Sequence, residues 1–236
     1  MPERRATRAG ATGRATRASA DRVETPEAKR ERVRCILREL RRAYREADCA
    51  LAHTNALELL VATILSAQCT DERVNQVTPA LFRRFPDARA LADADQREIE
   101  EYVRSTGFFR NKARALVTLG RALSERHGGE VPERMEDLVR LPGVGRKTAN
   151  VVLGTWFGRP AIPVDTHVTR VSGRLALTHE QDPLKIEADL QALLAESQWT
   201  FVSHALIWHG RLVCQARRPA CERCTLRAHC PFPARA

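Results

Sequence analysis

From Pro26 onward, apolar side chains recur along the chain at helical spacing. Val33, Ile36, Leu37 and Leu40 share one helical face, with Pro26 near the start, where a missing N–H costs nothing. Leu57, Leu60, Val61, Ile64 and Leu65 repeat the pattern, and the next helix is expected to open near Thr70 or Asp71. Residues 110–127 predict another helix on Ala113, Leu116, Val117, Leu119 and Leu123, stopped by Gly128 and Gly129. Asp182 followed by Pro183 reads as an N-cap and first turn leading into Ile186, Leu190, Leu193 and Leu194. No stretch alternates apolar and polar residues between hairpin turns, so the expected class is all-α. Residues 1–25 break the pattern: Arg, Ala, Gly, Ser and Thr dominate, and so little apolar surface predicts a disordered arm. Gly10 and Gly13, with no Leu or Phe in that stretch, deny it the apolar face of an organelle leader, and it reads as a solvated basic tail.

Charge and cysteine usage narrow the function. A chain of 236 residues is long enough for one large or two modest cores. Its net charge of +10 favours a polyanionic partner, although ribosomal and membrane-surface proteins share that property. No apolar run reaches membrane-spanning length and no signal peptide is evident, so a soluble, cytoplasmic protein is expected, nucleoid-associated if bacterial. The odd count of seven cysteines argues against a disulfide framework.

Three segments carry candidate chemistry. In the first, EDLVR, LPGVG and RKTANVVLGTWF follow one another between Glu136 and Phe157. An apolar helix, a turn with Pro and two glycines, and a second apolar helix are expected. Gly143 and Gly145 permit close backbone approaches, so N–H groups of the turn, including Val144, and of the next helix start can converge on a phosphate without reading sequence. Lys147 stands in the first turn of that helix, where the helix N-terminus disfavours added positive charge and so favours the nucleophilic amine needed for Schiff-base chemistry. In the second segment, IPVDTHVTR, Asp165 is placed to cap the helix carrying Val168, Val171 and Leu175. His204 and His209 lie five apart, off a shared helix face, and with His167 read as core or surface histidines and not as metal ligands.

The third segment holds Cys214, Cys221, Cys224 and Cys230 in the pattern C-x6-C-x2-C-x5-C. Four thiols packed so tightly point to a metal, and zinc and iron–sulfur are both chemically reasonable. Structural zinc usually pairs two short knuckles, and only one is present here. Between the first two cysteines, Arg217 and Arg218 stand side by side in a loop suited to a phosphate backbone.

The full string LPGVGRKTA, the VDTH segment and the cysteine spacing together resemble the endonuclease III family of helix-hairpin-helix DNA glycosylases. Ile64–Asp71 (ILSAQCTD) and the segment STGFFRNKA are similar to two further family segments, and the likeness covers about residues 28–231. The resemblance implies two helical domains flanking a DNA groove: a six-helix domain at 49–159 containing the hairpin, and an iron–sulfur domain combining 28–48 with 160–236, preceded by a basic arm at 1–27. It implies a [4Fe-4S] cluster on the four cysteines.

It also implies that Lys147 attacks C1′ of a flipped nucleotide, with Asp165 stabilising the positive charge that develops at the sugar. Gln68 would fill the gap left by that nucleotide, and Phe108, where the family more often has leucine, would wedge beside it. Cys69 stands where a small residue is usual. The expected activity is a bifunctional glycosylase and abasic-site lyase, a monomer acting on double-stranded DNA that carries an oxidised pyrimidine or an abasic site. A mismatch-specific glycosylase on the same scaffold, or a non-catalytic DNA-binding relative, is the alternative. The presence of both Lys147 and Asp165 argues against each.

Overall fold

The computed structural model describes residues 24–232, and these form eleven α-helices, short 3-10 turns and no strand. The all-α expectation therefore holds. Helix α1 (Pro26–Ala43) begins inside the stretch assigned to the arm: the Thr25 hydroxyl accepts the Ala28 N–H at 3.2 Å and Pro26 fills the first turn. Glu24 is held as well, by Arg32 at 2.7 Å. The remainder of the expected arm lies outside the described residues.

Helix α2 (Ala56–Leu65) is capped by Asn55, and α3 (Asp71–Arg84) opens where expected, with Thr70 accepting the Arg73 N–H. After α4 (Ala88–Asp93) and α5 (Gln96–Val103) comes α6 (Phe109–Arg126). Gly128 and Gly129 take positive φ beyond it, and the Gly129 N–H donates back to the Leu123 carbonyl at 3.0 Å, closing the helix as forecast. The first helix of the hairpin is shorter than the apolar run suggested. α7 (Met135–Leu138) is a single turn, because the Leu141 N–H already folds back to the Leu138 carbonyl at 3.0 Å. Helices α8 (Arg146–Thr155), α9 (Thr166–Arg174), α10 (Pro183–Leu193) and α11 (Trp199–Leu212) complete the set. Asp182 caps α10, accepting from the Leu184 and Lys185 N–H groups.

The apolar stripes are buried in two separate cores. One gathers α2 through α8 around Leu59, Leu60, Leu81, Leu116 and Leu119. The other joins α1 to α9, α10 and α11 around Ile36, Leu40, Val168, Ile186 and Leu206, and takes in Leu226 from the cysteine segment. Each such side chain contributes about 1.5–3 kcal/mol by leaving water. The chain passes from one core to the other between Ala161 and Ile162. The hairpin thus belongs to the first core and the segment after it to the second. No helix among the described residues is long and apolar enough to cross a membrane.

Candidate functional site

The turn Leu141–Gly145 is built from inside and left open outside. Gly143 has φ 78°, and a Cβ there would lie 3.2 Å from that of Ala115, so both conformation and packing require glycine. Gly145 is different. Its φ of −91° suits any residue and a Cβ would meet nothing within 4 Å, so the space it leaves faces outward. The Val144 side chain is 7% exposed and packed in the core, which leaves only its backbone for an outside contact. Gly145 is the N-cap of α8 with no side chain to satisfy the first N–H groups of that helix, and Lys147 stands exposed in its first turn.

Asp165 approaches from the other core. Its Oδ1 accepts the His167 and Val168 N–H groups, each at 2.8 Å, and so caps α9 as anticipated. Both bonds fall on one oxygen and hold the carboxylate rigidly. Lys147 and Asp165 line one cleft of about 910 Å³ between the two cores, together with Ser66, Arg170, Arg174 and Arg211. A second, smaller cavity of about 70 Å³ also has both residues on its wall. Two ion pairs join the helices of one core to those of the other. Asp71 on α3 meets Arg211 on α11 at 2.7 Å, and Arg146 on α8 makes a bidentate pair with Glu187 on α10 at 2.8 and 2.9 Å. The Glu187 carboxylate beside it pushes the Arg146 guanidinium up from its ordinary range.

Gln68 and Phe108 stand at the tips of two turns, both exposed and both left-handed, with φ of 53° and 48°. Ser66 and Cys69, on either side of Gln68, reach the cleft wall. Arg217 and Arg218 are exposed on the turn after α11. Two arginines of α9 hold that turn: Arg170 Nε donates to the Cys214 carbonyl at 3.1 Å, and Arg174 donates to the Gln215 and Ala216 carbonyls at 2.8 and 2.7 Å.

The four C-terminal cysteines are free and line a single cavity, whose wall also includes Val171, Leu175 and Phe232. Burial pushes the Cys224 and Cys230 thiols up, and the neighbouring cysteines add to that effect. Among the described residues, no three His, Cys, Asp or Glu side chains converge on a single-ion site.

The family model of HhH-GPD superfamily base excision DNA repair proteins matches residues 61–196. Endonuclease III of Synechocystis sp. is 55% identical over 204 residues, covering 86% of this chain and 93% of that protein. The chain belongs to the endonuclease III family. Endonuclease III of Bacillus subtilis is 44% identical over 79% of this chain and 86% of its own length. A trapped endonuclease III–DNA covalent intermediate, an estranged-adenine complex, superposes with a TM-score of 0.83 at 40% identity, covering 87% of this chain and 97% of that one. A thermostable thymine-DNA glycosylase has a TM-score of 0.82 at 19% identity and shares the fold. Membership in the endonuclease III family makes the protein a DNA glycosylase of base excision repair.

Several residues at the endonuclease III-like site carry no signal in the sequence. His209 is buried and held neutral, its imidazolium pushed down to about 4 by burial, and its Nδ1 lies 2.9 Å from the Tyr44 hydroxyl. The phenol is pushed up to about 12, chiefly by burial, and the other ring nitrogen, Nε2, lies 3.6 Å from Cys224 Sγ. His204 is buried too and reaches Thr155 at 3.4 Å. His204 and His209 are therefore core histidines, and His209 has a cysteine as neighbour. The pairing of Arg211 with Asp71 is silent in the sequence because it joins two distant helices.

Proposed function

We propose that the protein is a bifunctional DNA glycosylase and abasic-site lyase acting on oxidised pyrimidines in double-stranded DNA. The observation carrying this reading is that Lys147 and Asp165, brought from different cores by the first turns of α8 and α9, share the wall of one cleft. A nucleotide must leave the duplex to place its C1′ in such a cleft. The Lys147 amine attacks C1′, the glycosidic bond breaks, and the base departs with the bonding pair and takes up a proton. Opening of the C1′–O4′ bond puts a proton on O4′ and leaves an imine between Lys147 and the sugar. Removal of a C2′ proton then breaks the C3′–O bond and expels the 3′ phosphate, and water releases the lysine. Asp165, fixed by its two backbone bonds, places negative charge beside the cation that develops at the sugar.

The surroundings suit DNA. Each core forms one lobe of the groove, the first built on residues up to Ala161 and the second on α1 and the residues from Ile162 onward. The outward space at Gly145 admits a phosphate to the free N–H groups at the start of α8. Arg217 and Arg218 add backbone contacts without sequence preference. Gln68 and Phe108, exposed on strained turns, enter the stack where the nucleotide has left.

Cys214, Cys221, Cys224 and Cys230 fit a [4Fe-4S] cluster. Four free thiols lining one cavity are the donor set that would hold it. They would hold it across the segment carrying Arg217 and Arg218, which Arg170 and Arg174 fasten to α9, and its contribution there would be structural. His209 Nε2, 3.6 Å from the Cys224 sulfur, is placed to support it.

The test is the chemistry of the cut end. Incubated with a duplex carrying thymine glycol, the protein is expected to release the base and leave an unsaturated aldehyde at the 3′ side. Base release with an uncut abasic site would instead mean a monofunctional enzyme using water.

A further inference from the structure

A buried lysine lies under the two turns that carry Gln68 and Phe108. Lys112, on the first turns of α6, is 6% exposed. Its Nζ donates to the Leu65 carbonyl at 2.8 Å and to the Thr106 carbonyl at 2.7 Å, assigning two of the ammonium's three hydrogens. Leu65 is the last residue of α2, and the chain runs from it through Ser66 and Ala67 to Gln68. Thr106 ends a 3-10 turn and leads through Gly107 to Phe108. One nitrogen thus anchors the root of both arms. The Lys112 backbone N–H also donates to the Phe108 carbonyl at 3.1 Å, so a single residue grips the Phe108 arm on both sides of its tip.

The ammonium satisfies two carbonyls at the ends of helical segments, but that does not account for the strained tips beyond them. Gln68 and Phe108 are two of the three non-glycine residues with positive φ among the described residues, and Gly107 beside Phe108 has φ 70°. Such backbones are strained and persist only where the surroundings over-determine them. Phe108 is 65% exposed, so the strain gains no burial in return. An ammonium is an expensive group to bury, and an apolar side chain of equal length would fill the same space. Burial pushes the Lys112 ammonium down from its usual range, and Cys69 nearby pulls it back up. What the ammonium does that an apolar chain could not is fix two carbonyls from segments distant in sequence to the same point.

We propose that Lys112 is a positioning residue that locks the Gln68 and Phe108 arms into one rigid wedge, so that both side chains enter the duplex together. The proposal rests on the reading of this cleft as one that receives an extruded nucleotide. Lys112 touches no part of the DNA and acts through the two arms.

A double-mutant cycle tests it, using a duplex with a tetrahydrofuran abasic-site analogue and 2-aminopurine beside it. Affinity and the 2-aminopurine fluorescence rise that reports unstacking are measured together. Lys112→Met keeps the length and removes the donors, and it is expected to weaken binding about tenfold and to suppress the fluorescence rise. In the Gln68→Ala/Phe108→Ala background the same change is expected to shift affinity by less than about twofold, because the wedge it positions is gone. Lys112→Arg, which restores donors, is expected to recover part of the fluorescence signal.

Equal losses in both backgrounds would overturn the proposal and leave Lys112 a simple packing group. If Lys112→Met does not fold, the coupling of Gln68→Ala with Phe108→Ala in the otherwise unchanged protein decides instead. Non-additive losses support a rigid wedge, and additive ones overturn it. Should the unchanged protein fail to prefer the analogue duplex over an undamaged one, the reading of the cleft falls and this proposal falls with it.

Discussion

Asp165 does two jobs with two oxygens, and the two are separable. Asp165→Asn keeps an oxygen to accept the His167 and Val168 N–H groups but removes the charge. It is expected to leave the unfolding midpoint nearly unchanged while turnover falls roughly 100-fold or more. Asp165→Ala removes the cap as well, and should cost about 1 kcal/mol of stability on top of the lost activity. Urea unfolding beside single-turnover base release checks both. The place of Lys147 in a helix's first turn and the cap at Asp165 are legible because their neighbours in sequence define them: a glycine turn before one, a helix start after the other. Lys112 and His209 are not, because their partners lie 47 and 165 positions away, and no local pattern records that.

The hairpin makes a contrast at the scale of elements. Gly143→Ala puts a side chain at φ 78° and against Ala115, and is expected to cost roughly 1–2 kcal/mol or more in urea unfolding. Gly145→Ala meets no protein atom and should leave stability in place while weakening DNA binding, measured by fluorescence anisotropy. Loss of stability without loss of binding at Gly145 would reverse the assignment of its outward space. The pair between α8 and α10 is asymmetric as well. The Glu187 side chain is 6% exposed and that of Arg146 is 47% exposed. Arg146→Ala strands a buried carboxylate and should cost about 3 kcal/mol or more, whereas Glu187→Ala leaves an arginine that can turn to water and should cost nearer 1 kcal/mol. Helix positions and caps at Thr70 and Asp182 follow from spacing and capping chemistry. The single-turn length of α7 does not, because the bond from Leu141 back to Leu138 ends the helix while the apolar pattern continues.

Across the whole molecule, a net charge of +10 and two cores with a cleft between them suit the proposed grip on DNA through its phosphates. Replacing both Arg217 and Arg218 with alanine is expected to flatten the dependence of log affinity on log salt by about 0.9 for each phosphate no longer neutralised. Cys224→Ala should lose bound iron and flatten the slope to a similar degree, since the cysteine loop carries those arginines; iron analysis and salt titration report the two effects separately. The central claim, however, is a covalent bond between Lys147 and a sugar. Borohydride added during reaction with a thymine glycol duplex reduces an imine to a stable amine. The account predicts a trapped protein–DNA adduct that maps to Lys147 and disappears in Lys147→Ala. A folded protein with intact Lys147 that releases the base yet yields no adduct would contradict it.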